Sequence, residues 1–214
     1  SFGRWGRNNP GTRRTASYAI CVADAFDFLS AWRRGVLEAQ ATVAFPVARR
    51  AFETTSLLAV CAQDPKLAAK WEAGAPVGNA EIRVALESLP FPESGDLLRQ
   101  DYKFYSKGTH PNRDLVAYRF IGEGNQFALG SIAKPDLLAT VDHCLKNLEI
   151  WYWLTACIGY FYRECLSHHE SAFGADYLAC AERAIVVAHL LTSEFNRLLL
   201  ERGQDVPPSS RDAA

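Results

Sequence analysis

Two long segments near the C-terminal end, each with an apolar stripe, constrain this chain more than any other feature. Between about Pro135 and Ser167, Leu138, Val141, Leu145, Leu148, Tyr152, Thr155, Gly159, Tyr162 and Leu166 recur at alternating spacings of three and four. Between about Phe173 and Arg202 the same rhythm runs through Leu178, Ala181, Ile185, Ala188, Thr192, Phe195 and Leu199. That spacing keeps side chains on one helix face. Helices striped in this way pack side by side at shallow angles, as in an antiparallel bundle. The bend around Ser167 to Ser171 is short enough to make the two neighbours. An all-α antiparallel helical bundle closed by two long C-terminal helices is therefore expected.

The earlier sequence supplies shorter helices with readable ends. One is expected from Ser17 to Ala39, and the next from Thr42 to Gln63, where Pro46 is tolerated near the first turn. Asp64-Pro65 reads as an N-cap followed by the first residue of a helix that stops at Gly74. Asn79 is expected to cap a helix reaching Leu89, and Asp96 to Lys107 forms another that Gly108 ends. Leu115 to Ile121 and Gln126 to Leu129 are β-prone runs on either side of the turn residues Gly122 to Asn125, which predicts a small β-hairpin insertion. Residues 1–14 carry Arg4, Arg7, Arg13 and Arg14 with no acidic residue and no signal-peptide pattern, and are expected to be a flexible basic arm. Residues 15–203 then form a single helical-bundle domain, and 204–214 a disordered tail.

Charge and cysteine usage exclude some classes. A net charge of −1 argues against a surface wholly devoted to nucleic acid or anionic lipid, while leaving room for a local basic patch. The most lipid-like run, Ile150 to Tyr162, is far short of the ~20 residues a membrane span needs. Its aromatic face, Trp151 to Tyr162, suits either a core or a homodimer interface. The six cysteines include no C-x-x-C pair and mostly sit in apolar helical runs, which fits small buried hydrophobes in a reducing bacterial cytoplasm. Glu164 and His168 share a helix face but lack the paired Glu-x-x-His motifs of di-metal bundles, so no metal and no cofactor is expected.

Two clusters can carry chemistry. The first is Tyr102 to Asn112, where Pro111 restricts the backbone of His110 and places an imidazole beside a helix end. Histidine suits proton transfer near neutral pH, and Tyr102, Tyr105 and Ser106 lie within its local reach. A structural helix stop, with the histidine bonded to a backbone carbonyl, is the simpler use of the same residues. The second cluster is Arg49, Arg50 and Glu53, in which both arginine–glutamate spacings share a helix face. Exposed, these are ordinary ion pairs; buried, they need partners and can hold an anion or orient His110.

The runs Val47 to Glu53, Asp64-Pro65 to Trp71, and Tyr105-Ser106 to His110-Pro111 resemble a family of uncharacterised bacterial helical proteins. That family is itself similar to the HEPN superfamily (higher eukaryote and prokaryote nucleotide-binding domains). The resemblance follows element order over roughly residues 20–200. It implies an all-α bundle in which Arg50, Glu53, Ser106 and His110 converge. Some HEPN relatives are ribonucleases of toxin or phage-defence systems, with an arginine four to six residues before a histidine and a site shared across a dimer. Here the nearest arginine upstream of His110 is Arg99. The expected function is a binding or regulatory protein, defence-associated by resemblance. The alternative is a metal-independent ribonuclease centred on His110 and acting on RNA.

Overall fold

The computed structural model describes residues 10–88, 95–107, 109, 120–121, 126–127, 137–161 and 170–204. Within them lie α1 (Pro10–Leu37), α2 (Ala41–Gln63), α3 (Pro65–Glu72), α4 (Asn79–Glu87), α5 (Gly95–Lys107), α6 (Leu137–Phe161) and α7 (Glu170–Glu201). The protein is all-α, with its helices packed together. Two-residue strands β1 (Phe120–Ile121) and β2 (Gln126–Phe127) pair antiparallel inside the segment expected to hold a hairpin, and the turn between them lies outside the described residues. Among the described residues no helix is long and apolar enough to cross a membrane.

Small side chains let α1 and α2 approach closely. A Cβ at Gly35 would stand 3.3 Å from that of Ala44, a contact tight enough to favour glycine there. The turn between the helices closes with Gln40 N–H on the Gly35 carbonyl at 2.7 Å, and Ala39 takes the left-handed conformation at φ 56°. The start of α3 follows its sequence signal: the Asp64 carboxylate accepts from the Lys66 and Leu67 amides at 2.8 and 3.1 Å, with Pro65 in the first turn. Gly74, at φ +77°, lies just beyond the end of α3. Of the boundaries that differ from expectation, two have a local cause. Helix α1 begins at Pro10 rather than Ser17, because proline suits a first helical position, so residues 10–14 have helical backbone. Helix α4 is capped by Gly78, not Asn79, whose side chain is engaged elsewhere.

The main apolar cluster draws on α1 to α6, with Leu29, Trp32, Leu58, Val60, Tyr105 and Leu154 fully buried. This corrects the expected role of the two closing helices. Among the described residues of α6, Val141, on the predicted stripe, is buried, but the longer buried run is His143, Asn147, Ile150, Leu154 and Cys157, a heptad rhythm offset from that stripe, on which Tyr152 is 70% exposed. Among the described residues of α7, Leu198 and Leu199 are buried, the latter on the predicted stripe, while Ile185 on the same stripe is 58% exposed. Trp151 packs edge-on against Phe26, and Trp153 lies tilted against Phe52, so these two aromatics serve the chain's own packing.

Polar groups on the α6 seam are matched rather than stranded. Asn147 Nδ2 donates to the Leu29 carbonyl at 3.1 Å. The Trp32 indole N–H donates to His143 Nδ1 at 3.2 Å, and the imidazole sits against the rings of Phe45 and Phe104. Because an indole nitrogen can only donate, Nδ1 must be unprotonated and the histidine neutral. Burial, aided by the nearby Lys146 cation, pushes the His143 pKa down from 6.5 to about 4.

The sign of the resulting pH dependence is fixed. The unfolded chain takes up a proton at His143 near pH 6.5 and the folded chain only near pH 4, so this stabilisation is complete above 6.5 and is lost as pH falls through that window. The full effect is roughly 3 kcal/mol. Asp142, whose pKa burial raises, contributes with the opposite sign, so the contribution of His143 is read as a difference between variants. Urea unfolding of wild type and His143→Gln at pH 7 and pH 4.5 is expected to show a smaller acid loss in the variant. Equal losses would refute a neutral buried histidine.

Candidate functional site

The face of α2 that carries Arg49 and Glu53 meets α4 and α5. One guanidinium joins these parts. Arg49 Nε donates to Glu53 Oε1 at 2.8 Å, Nη2 to the Tyr102 hydroxyl at 3.0 Å, and Nη1 to Thr109 Oγ1 at 3.1 Å. The guanidinium also lies 5.4 Å from the centre of the Tyr102 ring. Asn79, in the first turn of α4, donates to Glu53 Oε1 at 2.9 Å and reaches the Tyr102 oxygen at 3.4 Å. Thr109 is held in turn, with its hydroxyl donating to the Ser106 carbonyl at 2.8 Å. The hydrogen bond that Arg49 donates to the Glu53 carboxylate is the main cause that raises its pKa, so this cation stays charged.

The expected site residues are dispersed. Glu53 is in the network. Ser106 contributes its carbonyl through Thr109, while its hydroxyl is buried without a partner. Arg50 is 67% exposed, 4.0 Å from Glu53 Oε2, with its guanidinium over the Phe28 ring. His110 lies outside the described residues. Adjacent helical residues point about 100° apart, so only one of two neighbouring arginines can face the core. That residue is Arg49.

Beside this network a cavity of about 170 Å³ opens between α2, α4 and α5. Phe52, Ala80, Ile82 and Leu86 form its apolar wall, and Glu53, Ser56, Asn79, Arg83 and Tyr102 bring polar groups to it. Two of these have unmet hydrogen-bonding capacity: Ser56 Oγ, on a residue only 2% exposed, and Arg83 Nε. Arg83 Nε stands 4.0 Å from Glu87 Oε1, beyond hydrogen-bond distance. Neither residue stood out in the sequence, because nothing local marks a serine or arginine as lining a space built by three separate helices. Among the described residues no group of three metal-ligating side chains comes together.

Compared with protein-family models, curated proteins and solved structures, the chain matches none. The fold and the site define an all-α protein with a partly apolar cavity flanked by a closed arginine–carboxylate–phenol network. The division of labour between the two arginines has a measurable consequence. Arg49→Lys, whose ammonium lacks the planar fork needed to serve Glu53, Tyr102 and Thr109 together, is expected to cost about 1–3 kcal/mol. Arg50→Ala, at a solvated position, is expected to cost under about 0.5 kcal/mol. Denaturant unfolding of both variants checks this, and equal losses would contradict it.

Proposed function

We propose that this chain is a ligand-binding helical protein of regulatory type, with the cavity between α2, α4 and α5 as its binding site. The observation that supports this is the pair of unpartnered polar atoms, Ser56 Oγ and Arg83 Nε, beside the apolar wall of Phe52, Ala80, Ile82 and Leu86. Buried polar groups are normally satisfied, and each one left without a partner costs roughly 1–3 kcal/mol. A ligand that supplies partners removes that cost on binding. Apolar walls with a few convergent polar groups are also the usual composition of small-molecule sites. An apolar protein cavity of about 150 Å³ accepts benzene, so a volume of 170 Å³ suits a ligand with a ring or short branched chain.

Ala80 lines the cavity from an exposed position, which makes it a suitable place to occlude the site without disturbing the core. A library of compounds of six to ten heavy atoms, screened by thermal shift and NMR, is expected to yield binders of about millimolar affinity or tighter. Ala80→Phe is expected to abolish their binding while leaving the melting temperature within a few degrees. Binding that survives in this variant, or a library with no binders, would count against the proposal.

A second reading, metal-independent cleavage of RNA centred on His110, is favoured by one contact. The Arg49 guanidinium bonds Thr109, the residue before His110, and so brings a cation near the turn although none stands at the upstream spacing of HEPN ribonucleases. Cationic stabilisation of a phosphorane and a histidine base are the two requirements of that chemistry. Under this reading His110→Ala and Arg49→Ala each lower RNA turnover by about 100-fold or more. Turnover unchanged by His110→Ala would eliminate it.

A further inference from the structure

We propose that the cavity between α2, α4 and α5 takes a neutral, ring-sized molecule that carries an N–H donor and a C=O acceptor side by side, as a lactam does. This rests on reading the cavity as a ligand site and specifies what that site recognises. The inference follows from the hydrogen-bonding capacity left unused on the cavity wall, counted alike for donors and acceptors. Arg83 Nε is a buried donor 4.0 Å from Glu87 Oε1, and an arginine nitrogen can only donate. Glu53 Oε2 is its counterpart: it stands 4.0 Å from Arg50, and the bonds from Arg49 and Asn79 both go to Oε1. A carboxylate oxygen can only accept. Asn79 uses its side-chain nitrogen on Glu53 and Tyr102, which leaves its carbonyl oxygen as a second acceptor. Ser56 adds a buried hydroxyl that can do either. The unused capacity is mixed, and it suits a ligand that both donates and accepts.

Charge disfavours the ionised alternatives. An anion would gain from the start of α4, which lies on the cavity wall without a side-chain cap, but it would meet Glu53 with like charge. An ammonium group would meet the Arg83 guanidinium in the same way. A neutral molecule incurs neither repulsion, and it loses less hydration on entering a space walled by Phe52, Ile82 and Leu86. The acceptor is also in place before any ligand arrives. Arg49 at 2.8 Å and Asn79 at 2.9 Å hold Glu53 Oε1, which orients the whole carboxylate on the cavity lining and lowers the ordering cost of binding. Ser56 follows Glu53 by three residues on α2, so its hydroxyl lies about one helical turn, roughly 5 Å, further along. An N–H and a C=O on one ring edge, each reaching ~2.9 Å to its partner, span groups that far apart. The ring body then faces the apolar wall, in a volume of about 170 Å³ that accommodates one six-membered ring.

The test is titration of the full chain, by calorimetry and NMR, with 2-piperidone, cyclohexanone, cyclohexanecarboxylate and piperidine, the last a cation at neutral pH. 2-Piperidone is expected to bind at least about tenfold more tightly than cyclohexanone, which keeps the carbonyl and lacks the N–H. Both charged rings are expected to bind more weakly than 2-piperidone. Glu53→Gln keeps a carbonyl oxygen for Arg49 and Asn79 and puts an amide NH2 where Oε2 stood. In this variant the preference for 2-piperidone over cyclohexanone is expected to fall to about twofold or less. Arg83→Met, at a side chain 40% exposed, removes the donor to the ligand carbonyl and is expected to weaken both rings by a similar factor of about tenfold. This second variant carries the test if Glu53→Gln does not fold. Equal binding of cyclohexanone and 2-piperidone by wild type, a preference unchanged in folded Glu53→Gln, or Arg83→Met without effect would overturn the donor–acceptor assignment while the cavity remained a ligand site. Cyclohexanecarboxylate or piperidine binding as tightly as 2-piperidone would overturn the neutral assignment in the same way. If none of these rings binds, or if Ala80→Phe leaves their binding intact, the ligand-site reading itself falls.

Discussion

An indole has one polar atom, and that atom only donates, so a fully buried tryptophan must be given an acceptor. Trp32 is fully buried, and its acceptor is His143 Nδ1, 3.2 Å away on α6. This bond requires a neutral imidazole, and the apolar surroundings that the helices build around it keep the imidazole neutral. The rings of Phe45 from α2 and Phe104 from α5 close on the histidine, and Tyr105 meets Trp32 edge-on at 5.7 Å. Four helices are thereby held to one pair of side chains. Helix α5 gains most from this arrangement. Once Tyr105 is locked between Trp32 and Phe52, Tyr102, three residues earlier and on a neighbouring part of the same face, is presented to Arg49. The geometry of the site follows from the packing of the core.

Local signals in the sequence were legible where the physics is local. The Asp64-Pro65 helix start, the glycine at position 74 and the i, i+4 pairing of Arg49 with Glu53 all depend on residues within one or two turns. The seam of α6 was not legible, because an apolar-stripe reading passes over His143 and Asn147. Both are buried, and both are acceptable there only because α1 supplies their partners, the Trp32 N–H and the Leu29 carbonyl. The stripe on α7 has the right period, and Leu199 near its end is buried, yet Ile185 faces solvent. Periodicity identifies a face and does not say whether anything covers it. The choice between Arg49 and Arg50 was equally hidden, since both have a glutamate at helical spacing and only tertiary packing turns one of them inward.

The molecule also separates its satisfied polar groups from its unsatisfied ones. Around Arg49 nearly everything is matched: three guanidinium nitrogens donate, one Glu53 oxygen accepts twice, and the Tyr102 oxygen accepts from two sides. Such a network fixes geometry, because moving any member strands another. One turn further along α2 the condition reverses, and Ser56 faces the cavity with nothing bonded to its hydroxyl. Tyr102 belongs to both regions, with its oxygen engaged in the closed network and the residue lining the cavity. Charged residues at suggestive spacing drew attention to the first region, but the Arg49 guanidinium and Glu53 Oε1 are already engaged with each other and with their neighbours. Unpartnered polar atoms in a space with an apolar wall are what a ligand can act on, and this moves the centre of interest from Arg50 to Ser56 and Arg83.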